Sequence, residues 1–262
     1  MAMRPSPASG EKPSLLELTR RPDFDARVCA IARRIGAAVD EAEAVELLAS
    51  AAAGLGADGA CFVSFVQEDA LQASYRYLLA CDPQWGRDYV VNRWFEDDPW
   101  LTYAMNAAEP VRASELASTR GSLRPMVAAA AEAGFRSTVI VPAPATLGGA
   151  RFAALYLGSD TGGFFEAEGY AAVRVLARIV AMEVNTWWMR AIRNELAAHV
   201  KLTAADLVLL RYEEQGHGSK VIAAALHTEP KTIDCRFQRL NMKLGAASRR
   251  AAVRLAKLYG LI

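Results

Sequence analysis

Residues 219–244 constrain the fold more than any other stretch, because their spacing predicts two helices joined by a tight turn. The first helix is expected from Ser219 to Leu226, where apolar residues recur at helical spacing. Pro230 then stands where a helix tolerates proline, in the first turn of the second helix. That second helix carries one apolar stripe at i, i+4, i+7 and i+11, made of Ile233, Phe237, Leu240 and Leu244. The pair therefore has one side to bury and one side to expose.

The other face of the second helix is rich in cations and polar side chains. Its members are Lys231, Thr232, Asp234, Arg236, Gln238, Arg239 and Lys243. A helix of this kind can enter a major groove, with its cations on phosphates and its first residues at base edges. The alternative is the solvated face of an ordinary amphipathic helix, and the pattern alone favours neither.

Charge is divided unevenly along the chain. From Val200 onward there are eleven Lys and Arg against five Asp and Glu, a net charge of +6. The remaining 199 residues hold nineteen against twenty-four, a net charge of −5, and the whole chain carries +1. A basic module on an acidic body indicates a polyanionic partner for the module alone.

Length and composition favour a protein of two packed domains. The chain has 262 residues, 53% of them hydrophobic, and single cores rarely grow beyond about 250 residues. No window approaches the roughly 18 uninterrupted apolar residues of a membrane span. Residues 1–14 lack the apolar segment of a secretory signal. We therefore expect a cytoplasmic protein with no membrane partner.

Neither the cysteines nor the histidines show the spacing of a metal site. The four cysteines stand far apart without a CxxC pair, and the three histidines share no ligand spacing with them. These residues are Cys29, Cys61, Cys81 and Cys235, and His199, His217 and His227. We expect free thiols, no metal and no cofactor.

The rest of the chain predicts an α+β protein with an N-terminal α/β/α sandwich of about five antiparallel strands. Residues 1–22, rich in Pro and Ser, are expected to form a flexible tail. Helices are predicted over 23–39 and 41–55, after Pro83 and Pro99, and over 124–133. Strands are predicted over 59–66, 71–79, 110–113, 137–142 and 152–158, with a turn at 67–69 between the first two.

One long apolar-periodic stretch, 165–199, leads into the basic module. Its stripe is wider than packing on one sheet requires, so we expect it to pack on its own sheet and also on a dimer partner. Thr203 with Asp206 three residues later forms a variant capping box at the next helix. The predicted domains are 23–190, a linker at 191–201, and an all-α domain of four helices at 202–262.

Two Asp-Pro pairs mark helix starts in the first domain. Asp82 and Asp98 each precede a proline, as an N-cap precedes the first helical residue. The first of these helices presents Trp85 and Tyr89 at i and i+4, on one face. Taken alone, such a pair is more often core than ligand site, and Asp98 is explained as a cap.

The basic module resembles the DNA-binding domain of LuxR-type regulators. The resemblance is carried by Leu202-Thr203, Gly216, Ile222-Ala223, Thr232-Ile233-Asp234, Lys243-Leu244-Gly245, Arg249 and Ala252-Val253. It implies a homodimer on a pseudo-palindromic site in double-stranded DNA. The expected phosphate contacts are Lys220, Lys231, Arg239 and Lys243, with Thr232 and Arg236 nearer the bases. The chain departs from the family at Val208, Tyr212, Val221, Glu229 and Arg236.

The first domain resembles the autoinducer-binding domain of LuxR-type quorum-sensing receptors. The order Trp85, Tyr89, Asp98-Pro99 and, much later, Gly134 carries the resemblance. It implies that the ligand is an N-acyl homoserine lactone. The Trp85 indole N–H would donate a hydrogen bond to the lactone carbonyl, and Asp98 would accept one from the N–H of the ligand amide. Tyr89 would wall the amide region or bond to it, and Gly134 would allow close packing. Strand residues that could contribute are Tyr75, Tyr77, Val139 and Tyr156.

Two departures concern this ligand site. Ala113 stands where the family commonly has a second Trp, and Cys81 stands where it often has a Tyr. Each change removes an aromatic wall or a hydrogen-bond donor, which is worth roughly 1–3 kcal/mol. The resemblance therefore specifies the class of receptor more firmly than the ligand.

The leading hypothesis is a ligand-controlled transcriptional regulator of quorum sensing. The alternative is an orphan member that binds little ligand and inactivates other receptors by heterodimerising with them. An enzyme is disfavoured, because no nucleophile–base pair is visible and the histidines lie in or beside the C-terminal module. A phosphorylated receiver is disfavoured too, since the first domain lacks the alternating β/α pattern.

Overall fold

The structure is a computed structural model that describes residues 12–67, 73–116, 124–144 and 151–262. Its strands are β1 (Gly59–Gln67), β2 (Ala73–Ala80), β3 (Val111–Arg112), β4 (Ser137–Pro144) and β5 (Arg151–Ser159). They form one sheet in the order β2-β1-β5-β4-β3, with every neighbouring pair antiparallel. The prediction of about five antiparallel strands is confirmed. The predicted turn between the first two strands lies, beyond Gln67, outside the described residues.

Helices cover both faces of this sheet. Those before the C-terminal module are α1 (Leu15–Thr19), α2 (Phe24–Ala37), α3 (Glu41–Gly54), α4 (Pro83–Val91), α5 (Pro99–Asn106), α6 (Arg124–Glu132) and α7 (Tyr170–His199). One apolar core joins α1, α2, α3 and α7 to one face of the sheet. A second, separate core joins α4, α5 and α6 to the other face. The predicted α/β/α sandwich is therefore confirmed.

The expected flexible tail over 1–22 is wrong for its last part. Ser14 and Glu17 form a reciprocal capping box that starts α1. Leu15 and Leu18 are 1% and 7% exposed and belong to the core beside α7. Burial of two leucines anchors a segment whose composition alone predicted mobility. Residues 1–11 lie outside the described residues.

Helix α7 continues through most of the predicted linker. It runs for thirty residues and ends at His199, so the break between the domains is confined to the few residues before Thr203. One side of α7 packs on the sheet. The opposite side leaves Val175, Ile179 and Met182 exposed at i, i+4 and i+7. The helix thus has a second apolar surface, separate from the one that packs on the sheet.

The C-terminal module contains four helices around its own core. They are α8 (Ala204–Glu214), α9 (Ser219–Ala225), α10 (Pro230–Leu244) and α11 (Arg249–Leu258). Thr203 and Asp206 form the predicted capping box, and Ile233, Phe237 and Leu240 are buried as the stripe required. The module also touches the first domain, where the buried Arg151 donates from Nη1 to the Leu258 carbonyl at 3.1 Å.

Neither membrane nor metal features occur in the described part of the chain. Across residues 12–67, 73–116, 124–144 and 151–262, no helix is both long and apolar enough to cross a bilayer. Within the same ranges, His, Cys, Asp and Glu side chains form no cluster that could hold a metal ion. All four cysteines are free thiols, as expected.

Candidate ligand and nucleic-acid sites

The structure gathers six predicted ligand residues around one pocket between the sheet and α4–α6. They are Tyr75, Tyr77, Trp85, Tyr89, Asp98 and Tyr156. Local signals explain the placement of the helices. The Asp82 carboxylate accepts from the Gln84 backbone N–H at 2.9 Å, and Pro83 opens α4. Asp98 caps α5 in the same way, so both predicted Asp-Pro starts are confirmed.

Asp98 is the polar centre of the pocket. It is 2% exposed, and its Oδ1 accepts from the Trp100 backbone N–H at 2.8 Å. Its Oδ2 accepts from the Tyr89 hydroxyl at 2.6 Å. Burial raises the pKa of Asp98 although these donors oppose the shift. Burial and the neighbouring Asp98 likewise raise the pKa of Tyr89. This hydroxyl therefore stays protonated and donates a hydrogen bond to Asp98.

Tyr156, on β5, places a third polar group in the pocket. Its ring lies 5.9 Å from that of Trp100, centroid to centroid. Its hydroxyl is buried without a hydrogen-bond partner among the described residues. Burial raises the pKa of Tyr156 well above its ordinary value, so the hydroxyl stays protonated. A buried donor without an acceptor costs about 1–3 kcal/mol and favours a ligand that brings one.

Aromatic rings fill most of the remaining pocket. The Trp85 ring centroid lies 5.7 Å from Tyr89, 5.7 Å from Trp94 and 6.1 Å from Phe135. The free volume left between these side chains is about 40 Å³, close to the space of one water molecule. Sequence reasoning missed Trp100 and Phe135, which line the pocket, and Trp94, which packs against Trp85. Phe135 could have been found, because it directly follows Gly134.

Three predicted residues take other positions. Val139 is buried in the core on the α7 face, so its assignment to the pocket is wrong; alternation along β4 turns Ile140 to the pocket face instead. Gly134 ends α6 with φ +100° and does not line the pocket, but the turn places Phe135 there. Cys81 packs at the edge of the same aromatic core. Burial and the nearby Asp82 raise its pKa to about 12, which leaves an unreactive thiol.

Ala113 lines a neighbouring cleft rather than the pocket. The cleft has a volume of about 470 Å³, and Trp100 and Phe135 line both spaces. Its walls are mainly apolar and include Pro99, Ala113, Leu116 and Val127. Its polar side chains include Glu166, which accepts from the hydroxyls of Ser114 and Ser137 at 2.8 and 2.7 Å. A small side chain at position 113 leaves this space open.

The exposed face of α10 carries most of the predicted DNA contacts. Lys220, Lys231, Arg236 and Arg239 are exposed, and Thr232 is half-buried in the first turn of α10. Lys243 is used inside the module instead. Its ammonium lies 2.7 Å from Asp206 Oδ2 and 3.0 Å from the Lys201 carbonyl oxygen.

Asp234 on the same helix is neutralised by neighbours. The Ser219 hydroxyl donates to its carboxylate at 2.6 Å, and the Arg249 guanidinium donates at 2.5 Å. These contacts lower the pKa of Asp234. Arg249 also stacks on Phe237, with its guanidinium carbon 4.2 Å from the ring centroid. The pairing offsets the one acidic charge that α10 carries.

A pocketed α/β/α domain joined by one helix to a basic helix-turn-helix module defines a class, the two-domain transcription regulators with a sensory domain. The chain belongs to the LuxR family of these regulators. The family model "Autoinducer binding domain" matches residues 40–184, and the model "Bacterial regulatory proteins, luxR family" matches residues 200–256. A comparison with curated proteins found no match.

Solved structures share the architecture. Escherichia coli SdiA is 16% identical, with 92% of this chain and 99% of SdiA covered and a TM-score of 0.69. SdiA in complex with octanoyl-rac-glycerol is 14% identical, with 92% and 98% covered and a TM-score of 0.69. The N-acylhomoserine lactone-dependent LuxR-family factor CepR2 from Burkholderia cenocepacia is 16% identical, with 64% of this chain and 97% of CepR2 covered and a TM-score of 0.54. At such identities the likeness concerns the fold alone.

Proposed function

We propose that this protein is a dimeric, cytoplasmic DNA-binding regulator of quorum sensing, controlled by an N-acyl homoserine lactone or a closely related acyl amide. The observation that carries the ligand is the polar trio of Tyr89, Asp98 and Tyr156 in an otherwise apolar pocket. A ligand amide offers one donor for Asp98 and one carbonyl for the Tyr156 hydroxyl. The lactone dependence of CepR2 and the acylglycerol bound to SdiA support an acylated ligand.

Ligand entry requires the pocket to enlarge, because only about 40 Å³ is free. Tyr75 and Tyr77 on β2 are 36% and 40% exposed and line the pocket from the solvent side. Rotation of these rings opens space for an acyl chain while the polar trio keeps its place. Binding to the folded state then stabilises the domain by linkage, by about 2.7 kcal/mol when the ligand stands at 100 times its Kd.

Thermal unfolding with acyl homoserine lactones of graded chain length tests this proposal. We expect one chain length to raise Tm by several degrees, and Asp98→Asn to reduce that rise. Asp88→Asn is the matched control, because Asp88 lies on α4 but does not line the pocket. Its carboxylate accepts a hydrogen bond from the Gln84 side-chain amide at 2.6 Å. An equal rise in Tm for the wild type and both variants would show that Asp98 does not contact the ligand.

The exposed cations of the helix-turn-helix module support DNA binding. Lys220, Lys231 and Arg239 contact phosphates in this proposal, whereas Thr232 and Arg236 lie nearer the bases. Lys243 instead holds the start of α8 through Asp206. Lys231→Ala should weaken binding to every sequence and lower the salt slope by about one. Lys257→Ala is the control, since Lys257 pairs with Glu214 at 2.9 Å. Equal effects of both substitutions would contradict the assignment.

The exposed stripe of Val175, Ile179 and Met182 on α7 supports the homodimer. An apolar helix face of this kind is covered by the same face of a second copy in a two-fold dimer. Ile179→Glu should therefore yield monomers in sedimentation measurements. A dimer that persists in this variant would move the interface elsewhere.

The filled pocket favours a second candidate function, an orphan regulator that folds without ligand and pairs with other receptors of the family. Tyr89 already satisfies Asp98, and the aromatic rings leave little space. Mixing the protein with a second LuxR-type receptor separates the two functions. Heterodimers that lose DNA binding support the orphan, whereas exclusive homodimers dispose of it.

A further inference from the structure

The ligand-sized space on the pocket face lies beside the pocket, in the cleft at Ala113. The cleft volume of about 470 Å³ falls within the roughly 300–1,000 Å³ of small-molecule sites. The pocket keeps only about 40 Å³ free. Trp100 and Phe135 line both spaces, so movement of these two rings joins them.

Trp100 connects the cleft with the polar groups of the pocket. Asp98 accepts from the Trp100 backbone N–H, and the Trp100 ring packs at a tilt against Tyr156, with the ring centroids 5.9 Å apart. A ligand amide held by Asp98 and Tyr156 therefore lies directly against the shared wall. Tyr75 and Tyr77 line the pocket from β2, where an acyl chain would extend. The group on the other side of the amide then points into the cleft.

The cleft walls suit a planar apolar group with a hydroxyl at its far end. Trp100 and Phe135 offer ring faces, and Ala113 contributes a methyl group. Glu166 also lines the cleft, and it accepts from the Ser114 and Ser137 hydroxyls, one at each carboxylate oxygen. Each oxygen has a second lone pair for a ligand O–H. Arg136 also lines the cleft and adds a positive charge.

We propose that the cleft at Ala113 holds the head group of the ligand, and that this head group is a hydroxylated aromatic ring rather than a five-membered lactone. The proposal rests on the proposed function, because it uses the same Asp98 and Tyr156 to hold the amide. It names the class of ligand as acylated aromatic amines.

Titration calorimetry with three octanoyl amides tests the proposal, the head groups being tyramine, phenethylamine and homoserine lactone. We expect the wild-type protein to bind octanoyl-tyramine at least tenfold more tightly than octanoyl homoserine lactone. The phenethylamide, which lacks the hydroxyl, should fall between them. Glu166→Gln should reduce the advantage of the tyramide over the phenethylamide.

Ala113→Trp is the decisive variant, because it adds an indole to the cleft, whose lining does not include Tyr89, Asp98 or Tyr156. We expect it to lose tenfold or more in affinity for octanoyl-tyramine and less than twofold for the lactone. Ala113→Leu repeats the test with a smaller group in case the Trp variant does not fold. Ala205→Trp, on an exposed position of α8, controls for the added ring.

The outcomes separate the two proposals. Equal affinity of the wild type for all three head groups, or equal losses for tyramide and lactone in Ala113→Trp, overturns the head-group assignment and leaves the acyl-amide receptor standing. Binding of none of the three amides overturns the head-group assignment together with the ligand part of the proposed function.

Discussion

The two faces of the sheet use the same strands for opposite purposes. On the α7 face, Phe62, Val141 and Leu155 belong to one core with the buried apolar residues of α1, α2, α3 and α7. On the pocket face, Cys61 and Tyr156 meet large rings, a buried carboxyl group and two cavities. Side chains alternate along a strand, so one sheet supports both arrangements at once. A stable core on one side allows a polar pocket and an open cleft on the other.

The pocket face also brings together titratable groups with shifted pKa values. Burial raises the pKa of Cys61, Tyr89, Asp98 and Tyr156, and all four line the pocket. Groups with shifted pKa values gather at functional sites more often than in structural cores. We infer that the α7 face supplies stability and the pocket face supplies recognition. This division can be tested one face at a time.

The largest effect is expected on the α7 face. Phe62 is fully buried on β1, so Phe62→Ala should lower the free energy of unfolding by about 3–5 kcal/mol through lost burial and a new cavity. Its neighbour Val63 is half-buried on the pocket face, and Val63→Ala should cost about 1 kcal/mol. Denaturant titration measures both. Equal losses would show that the two faces carry stability alike.

A smaller effect is expected from the Tyr89–Asp98 hydrogen bond. Tyr89→Phe leaves one oxygen of a buried carboxyl group without its donor, and should lower the free energy of unfolding by about 2 kcal/mol. Tyr170→Phe is the matched control on the α7 face, because the Tyr170 hydroxyl has no partner among the described residues. We expect that control to keep the wild-type stability or to gain up to about 1 kcal/mol, because it removes a buried hydroxyl that has no partner among the described residues. A harmless Tyr89→Phe would mean that solvent reaches Asp98.

Sequence reasoning succeeded where the signal is local. The caps Asp82, Asp98 and Thr203 and the apolar stripe of α10 depend on residues within one or two turns, and all are confirmed. Sequence reasoning failed where the pairing between strands decides which side chains face the pocket. Val139 pairs with Leu157 and Ile140 with Tyr156, and this register decides which of the two faces the pocket. No local pattern contains that information.

The cleft at Ala113 shows the same limit. Sequence reasoning identified the small residue, but the free space depends on Trp100 and Phe135, which come from separate elements. Trp94 joined the aromatic core through a turn that begins with Arg93 at φ +53°, a conformation uncommon for a residue with a side chain. Features built by several distant segments therefore appear only in the folded structure.

Asp98 gives the pocket face a pH dependence of its own. A carboxyl group with a raised pKa binds its proton more tightly in the folded protein, so its contribution to stability falls as the pH rises above its ordinary pKa of 3.8. Asp98→Asn removes this fall. The variant should gain stability over wild type as the pH rises from about 4, by at most about 1.4 kcal/mol per pH unit. Thermal unfolding across this range measures the difference, and a flat difference would contradict a raised pKa.

The smallest effect is expected at Tyr156, and its sign distinguishes the faces most sharply. Without ligand, Tyr156→Phe removes a buried hydroxyl that has no partner among the described residues, so the free energy of unfolding should rise by up to about 1 kcal/mol. With an acyl amide present, the same variant should show a smaller increase in Tm than wild type, because the ligand carbonyl loses its donor. A structural tyrosine would change both measurements in the same direction. Opposite changes would show that the pocket face gives up some stability to keep a donor ready for its ligand.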